Sequence, residues 1–203
     1  DAENKPALID LITDRLEIEK CMVPVIDGLD ILPSRIENAV LDNLFALNSL
    51  PVDREIKRRV EKLKSKYDFI FIDCPPSLGQ AVTAASLAAD HIVVPVYPKR
   101  FSLSELNITL KELEKNVAEK FETHLDIKIV FNKFDGRTSL SHTVLSALFN
   151  DPEYQKRLFK SFIRTSQELP NSVSKEKTIF DSLKASTAKE DIDLLAREFI
   201  EAT

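Results

Sequence analysis

A parallel α/β architecture is what the sequence predicts, and three features carry that prediction. Three short apolar runs, Phe69 to Asp73, His91 to Val96 and Ile127 to Asn132, are rich in β-branched and aromatic residues. They show no polar alternation, as strands buried on both faces require. Helix-period segments separate them: Ala-rich Gln80 to Ala89, then Ser104 to Phe121 with Leu106, Leu110, Leu113 and Val117 on one stripe. Strand alternating with helix is the pattern of a parallel sheet. The 203 residues contain no Pro/Gly-rich linker, low-complexity tract or internal repeat, so a single domain over 1–203 is expected.

In chain order, Leu29 to Leu32 reads as a weaker strand ahead of Pro33, and Ser34 as the N-cap of a helix to about Leu47. Pro51 and Asp53 introduce a further helix ending near Tyr67. Its seven cations, Arg54, Lys57, Arg58, Arg59, Lys62, Lys64 and Lys66, are spread around the axis, with Ile56, Val60 and Leu63 as the buried stripe. That spread reads as a solvated surface. After Asp135, glycine and threonine mark a loop, and Ser139 or Ser141 caps a short helix through Phe149. Leu158 to Ile163 is one more strand. Ala188 to Ala202 places Ile192, Leu195, Phe199 and Ala202 on one helix face, packed on the sheet. Its polar face carries Glu190, Asp191, Asp193, Glu198 and Glu201, opposite in sign to a membrane-surface helix.

Composition removes several function classes. Only three glycines are present, where average usage would give on the order of 14. A Walker A loop, a dinucleotide-binding GxGxxG and a kinase glycine loop each need clustered glycines to bring backbone N–H groups to a phosphate, and none is present. The net charge of −5 argues against coating nucleic acid by bulk charge, while leaving room for a local basic patch. Cys21 and Cys74 lie far apart and outside any metal-ligand spacing, which points to a reducing compartment. His91, His124 and His142 are scattered, and no GxSxG elbow exists. No apolar run approaches the roughly 20 residues that span a bilayer. The chain opens at Asp1 with no leader pattern, so processing or a longer parent polypeptide is expected.

The segment Tyr67 to Gly79, YDFIFIDCPPSLG, is the strongest candidate for chemistry. An apolar strand delivering Asp73 at its carboxyl end suits a nucleotide hydrolase, whose aspartate holds Mg2+ through water beside the phosphates. Pro75 and Pro76 cannot continue a ladder, so the chain leaves the sheet there. The competing reading makes Asp73 a cap for the helix that follows. Asn132-Lys133-Phe134-Asp135 matches the N-K-x-D pattern with which GTPases read guanine, but those proteins want D-x-x-G where this chain has Asp73-Cys74-Pro75-Pro76.

The DCPPSLG block followed by an Ala-rich helix and the VVPVYP turn resembles the ParA partition ATPases, within the ParA/MinD group of deviant-Walker P-loop proteins. ALIDLITDRL, GLDILPSRIENA, RFSLSEL, IVFNKFDGRTSLS and TIFDSLKASTAKEDIDLLAREF resemble further blocks of that family in the right order, so the likeness covers nearly the whole chain. It implies a mostly parallel sheet with helices on both faces, in a P-loop NTPase fold missing its first strand and P-loop. The signature K-G-G-V-G-K-T loop and its two lysines have no counterpart here, and without that strand Phe69 to Asp73 is expected to lose a ladder neighbour and expose apolar side chains. A preceding segment in the intact protein is therefore expected.

The resemblance also implies roles. Asp73 is similar to the aspartate that supports Mg2+, and Cys74, Pro75, Pro76, Ser77, Leu78 and Gly79 resemble switch II, which senses the γ-phosphate. Asn132 stands where the family contacts adenine, and Ile163, Arg164 and Thr165 resemble the loop that closes over the base. ATP and Mg2+ are the implied cofactors; an ATP-dependent homodimer, non-specific DNA and a ParB-type centromere-binding protein are the implied partners. A cytoplasmic, nucleoid-associated location follows, with no membrane contact. Lys99, Arg100, Lys156, Arg157 and Lys160 are the DNA-binding candidates, acting on backbone phosphate. The alternatives are a non-catalytic interaction module that has discarded its phosphate loop, and a GTP-binding relative.

Overall fold

The computed structural model describes residues 6–13, 16–34, 51–76 and 79–202. They fall into two compact units, one formed by residues up to Ala89 with Glu112–His124, the other by Asp90–Lys111 with the rest of the chain from Leu125. The helix expected from Ser34 to Leu47 lies almost wholly outside the described residues.

In the first unit, helices α1 (Leu8–Thr13) and α2 (Ile18–Cys21) precede a hairpin of β1 (Val23–Ile26) and β2 (Leu29–Ile31), followed by α3 (Val52–Glu61) and α4 (Gln80–Ala88). The hairpin turns at Asp27-Gly28, where Gly28 takes φ +77°, a conformation open to glycine without a Cβ penalty. Leu11, Ile18, Cys21 and Leu63 form a buried cluster, against which Leu32, Tyr67 and Ile70 pack. A second cluster joins Ile12 to Ala84, with Ile56 and Ala81 against it. The buried side of α3 is not the apolar stripe alone. Glu55 and Arg59 are buried there as an ion pair one turn apart, and Arg59 also donates to the Leu11 carbonyl at 3.0 Å.

The second unit is built on a parallel sheet in the order β3 (Ile92–Val96), β4 (Ile127–Phe134), β5 (Leu158–Arg164). Helix α5 (Ser102–Leu113), which runs on into a π-helical turn, links β3 to β4; α6 (Ser139–Asn150) and α7 (Pro152–Gln155) link β4 to β5. β4 is the central strand, and Ile127, Ile129, Val130 and Phe131 are all buried, the consecutive burial from Ile129 to Phe131 showing that it is covered on both faces. Thr138, and neither Ser139 nor Ser141, caps α6, its hydroxyl accepting from the Ser141 backbone. After α8 (Glu168–Val173), α9 (Thr187–Ala202) closes the chain against β5. Asp191 and Glu198 do not belong to the solvent face of α9. Glu198 accepts from the backbone N–H groups of Lys160 and Ser161, both at 2.7 Å, and Asp191 from that of Arg164 at 2.8 Å. These carboxylates satisfy outer-edge donors of β5 that a further strand would otherwise take.

One expected strand is not formed. Phe69 to Asp73 is irregular and joins no β-ladder, and Phe69, Phe71 and Ile72 are exposed, Phe71 by 82%. That is the exposure expected of an apolar strand without its ladder neighbour. Among the described residues no helix is long and apolar enough to cross a membrane.

Candidate functional site

Asp73, Cys74, Pro75 and Pro76 lie in the first unit as an exposed irregular segment. Cys74 Sγ donates to the Ile72 carbonyl at 3.8 Å. Gly79 is the N-cap of α4, its carbonyl accepting from the Thr83 backbone at 3.0 Å and the Thr83 hydroxyl at 3.1 Å. Ser77 and Leu78 lie outside the described residues. Asp73 therefore does not cap α4.

At the carboxyl end of the parallel sheet, the second unit brings the other candidates together. Asn132 on β4 pairs with Ile163 on β5, and the ladder is irregular just beyond, between Asn132 and Phe134. Lys133 sits at that irregularity with φ +58°, a strained value for a residue with a side chain. Two hydrogen bonds hold it, with a third at the next residue. Its own N–H donates to Asn132 Oδ1 at 2.8 Å, and its carbonyl accepts from Thr165 Oγ1 at 2.9 Å. Beside it the Thr165 N–H donates to the Phe134 carbonyl at 2.8 Å. The Lys133 ammonium then lies over the Tyr97 ring, 5.1 Å from its centroid, with Lys99 at 5.9 Å from the same ring. Lys133 and Tyr97 were not among the residues the sequence singles out individually; the signal for Lys133 was its place in the N-K-x-D run at a strand end.

Arg164 is committed elsewhere. Its guanidinium grips Asp191 through Nε and Nη2, at 3.0 and 2.6 Å, with Glu190 at 3.6 Å. Asp191 first, and Glu190 behind it, hold the guanidinium protonated more firmly than usual. Arg164 thus fixes the end of β5 to α9, and the Thr165 contacts to β4 follow directly after this anchor.

Asp135 is equally occupied. Both of its oxygens face Arg137, which donates from Nε at 2.9 Å and from Nη2 at 2.8 Å. The Arg137 side chain and then its backbone N–H bring the Asp135 carboxyl down to about 2. A carboxylate tied this way is poorly placed to read guanine, which weakens the N-K-x-D reading.

The five cations proposed for DNA do not form one patch. Lys99 and Arg100 follow the carboxyl end of β3, whereas Lys156 and Arg157 precede the amino end of β5 and Lys160 lies within its first half. In a parallel sheet these are opposite ends, separated by roughly 20 Å for a seven-residue strand. Lys99 pairs with Glu105 at 3.1 Å and Lys156 with Glu153 at 2.6 Å, both exposed pairs of small energetic weight.

A parallel α/β sheet with a polar cluster at its carboxyl end defines the class, an open α/β protein whose strand ends face the candidate site. A family model described as AAA domain matches residues 1–127. The sporulation initiation inhibitor protein Soj of Bacillus subtilis is 27% identical over 180 residues, covering 88% of this chain and 70% of Soj. A virulence plasmid ParA family protein of Chlamydia psittaci is 30% identical over 173 residues, covering 85% of this chain and 64% of that protein. In some curated relatives the match spans only about half, 51% for an uncharacterised Methanocaldococcus jannaschii protein. Among solved structures, a plasmid partition protein of Borrelia burgdorferi bound to AMPPNP superposes with a TM-score of 0.76 at 18% identity, over 97% of this chain and 74% of that one. Apo McdA of Cyanothece gives 0.80 at 19% identity, over 96% and 78%. The chain belongs to this AAA-domain family and is of the ParA type.

Proposed function

We propose that the intact protein is a partition ATPase for a plasmid or chromosome, and that this chain contributes its metal-supporting aspartate and its base-binding end. The observation that supports this most directly is the strained, over-determined junction at Lys133, which gathers Asn132, Ile163 and Thr165 at the carboxyl end of the sheet. Strain held in place by surrounding hydrogen bonds is characteristic of ligand sites.

The residues present fit part of the cofactor. Asn132 spends its carbonyl oxygen on Lys133, which leaves its amide N–H2 turned to donation, the chemistry an adenine ring nitrogen accepts. Asp73 is an exposed carboxylate, and among the described residues no cluster of metal-ligating side chains accompanies it, so Mg2+ would be held through water. The sequence has no glycine-rich loop to cradle the phosphates, and on this reading a further segment of the intact protein supplies it. ATP with Mg2+ supplies the phosphoryl bond whose cleavage drives the cycle. Asn132 orients the base, Arg164 pins the loop that Thr165 begins, and Asp73 with Cys74 to Gly79 couples the γ-phosphate position to the surface.

On this reading nucleotide joins two subunits, the joined form binds DNA without sequence preference at the nucleoid, and a ParB-type partner stimulates hydrolysis. The amino-end group Lys156, Arg157 and Lys160 is the better DNA candidate, because Lys99 and Arg100 flank the nucleotide end. Replacing Asn132 by Ala in the intact protein should raise the KM for ATP up to tenfold with kcat little changed, the loss of one neutral hydrogen bond. An unaltered KM removes Asn132 from the base site.

A further inference from the structure

Burial of Glu55 and Arg59 changes what the cations of α3 mean. From Arg54 onward, the buried or half-buried positions of this helix and the turn after it are Glu55, Ile56, Arg59, Val60 and Leu63. With Arg59 taken out of the surface, the cations are no longer spread around the axis. Arg54, Lys57, Arg58, Lys62 and Lys64 are all exposed, opposite that buried stripe, and Glu61 is the single exposed acid between Arg54 and Lys66. Arg54, Arg58 and Lys62 stand four residues apart, a row of roughly 12 Å along the helix, with Lys57 beside it.

Little within the chain neutralises this face. Lys62 pairs with Glu17, and Lys64 with Glu61 at 3.0 Å, both exposed pairs of small energetic weight. Lys57 and Arg58 form no ion pair among the described residues. Helix stability does not account for the arrangement either. Arg58 in the last turn suits the macrodipole, but Arg54 stands in the first turn, where the dipole opposes a cation. No exposed position between Arg54 and Lys66 carries an apolar side chain, so the face has nothing to seat in a partner protein's pocket or among acyl chains. Its complement is a polyanion with closely spaced charges. A DNA duplex carries one charge for about every 1.7 Å of its axis, so such a row meets phosphates in any register and reads no bases.

We propose that the exposed face of α3 is a backbone-phosphate contact for duplex DNA, additional to the group Lys156, Arg157 and Lys160. It lies on a single helix of one chain and uses none of the nucleotide-site residues. It therefore acts without nucleotide and stands whether or not the ATPase reading holds. The test is fluorescence anisotropy of a labelled duplex of arbitrary sequence, titrated with the intact protein without nucleotide or Mg2+ at about 50 to 200 mM salt. Salt-sensitive binding is expected. In the double variant Lys57→Gln with Arg58→Gln it should weaken about tenfold, and the slope of log K against log salt should fall by about 2. Both side chains are exposed and glutamine is a good helix former, so this variant keeps the fold. Lys111→Gln with Lys115→Gln makes the same change of charge at exposed positions of another segment and should leave the slope unaltered. Absence of nucleotide-free binding overturns the proposal, as does a slope that the α3 variant leaves unchanged or that the control lowers equally. Displacement of the duplex by polyglutamate at equal charge concentration would assign the face to an acidic polypeptide and overturn the DNA reading.

Discussion

Asp191 spends its carboxylate on one residue, accepting from the backbone N–H of Arg164 and from two nitrogens of its guanidinium. The acid is buried while the Arg164 side chain is 41% exposed, so solvent screens part of the attraction. Asp191→Asn keeps the shape and removes the charge, leaving a guanidinium with only the more distant Glu190. A loss of about 2 kcal/mol in urea unfolding is expected, below the cost of breaking a fully buried pair. A change under about 0.5 kcal/mol would show that the anchor is ornamental. The same residue shows what sequence hides: on a helical wheel Asp191 is one more polar-face acid, and nothing in the wheel says that a strand edge with unsatisfied N–H groups will lie against it.

Elements repeat that lesson. β4 was legible because its apolar run has no alternation, a local property that survives whatever surrounds it. β5 and α9 were legible for similar reasons of period and length. The β1–β2 hairpin was only half seen, although Asp27-Gly28 between the apolar residues Ile26 and Leu29 is a strong hairpin signal. Phe69 to Asp73 has the propensities of a strand, yet a strand exists only with a neighbour, and propensity does not report the neighbour. The docking of α9 on β5 carries a pH dependence of its own. Burial opposes ionisation of Glu198, but the donors at Lys160 and Ser161 outweigh it and hold the carboxyl below its ordinary value. A depressed acid stabilises fully above its unfolded pKa of about 4.3 and loses that contribution as pH falls through the folded value. Stability should therefore decline below about pH 4.3, and Glu198→Gln should flatten that decline while costing about 1 kcal/mol near pH 7. Identical acid profiles for the two proteins in denaturant titrations would rule this out.

At the scale of the whole molecule, the acidic balance and the divided cations shape what the protein can bind. A chain of net charge −5 needs its positive groups gathered to hold nucleic acid, and Lys156, Arg157 and Lys160 are the set we propose for that role. Reversing Lys156 and Lys160 to Glu in the intact protein should weaken ATP-dependent DNA binding and reduce the slope of log K against log salt by about 2. An unchanged slope would place the DNA surface elsewhere. The candidate site was legible in its parts and not in its state: the motif order points to the ParA type, and the geometry shows which groups are spoken for, Arg164 by Asp191 and Asp135 by Arg137. The central claim is that Asp73 serves nucleotide hydrolysis, and its most direct test is Mg2+-dependent ATP turnover by the intact protein beside its Asp73→Asn variant. Turnover in the parent with a loss of about 100-fold in the variant is the predicted result. No turnover in the parent, or turnover that the substitution leaves unchanged, would contradict the account.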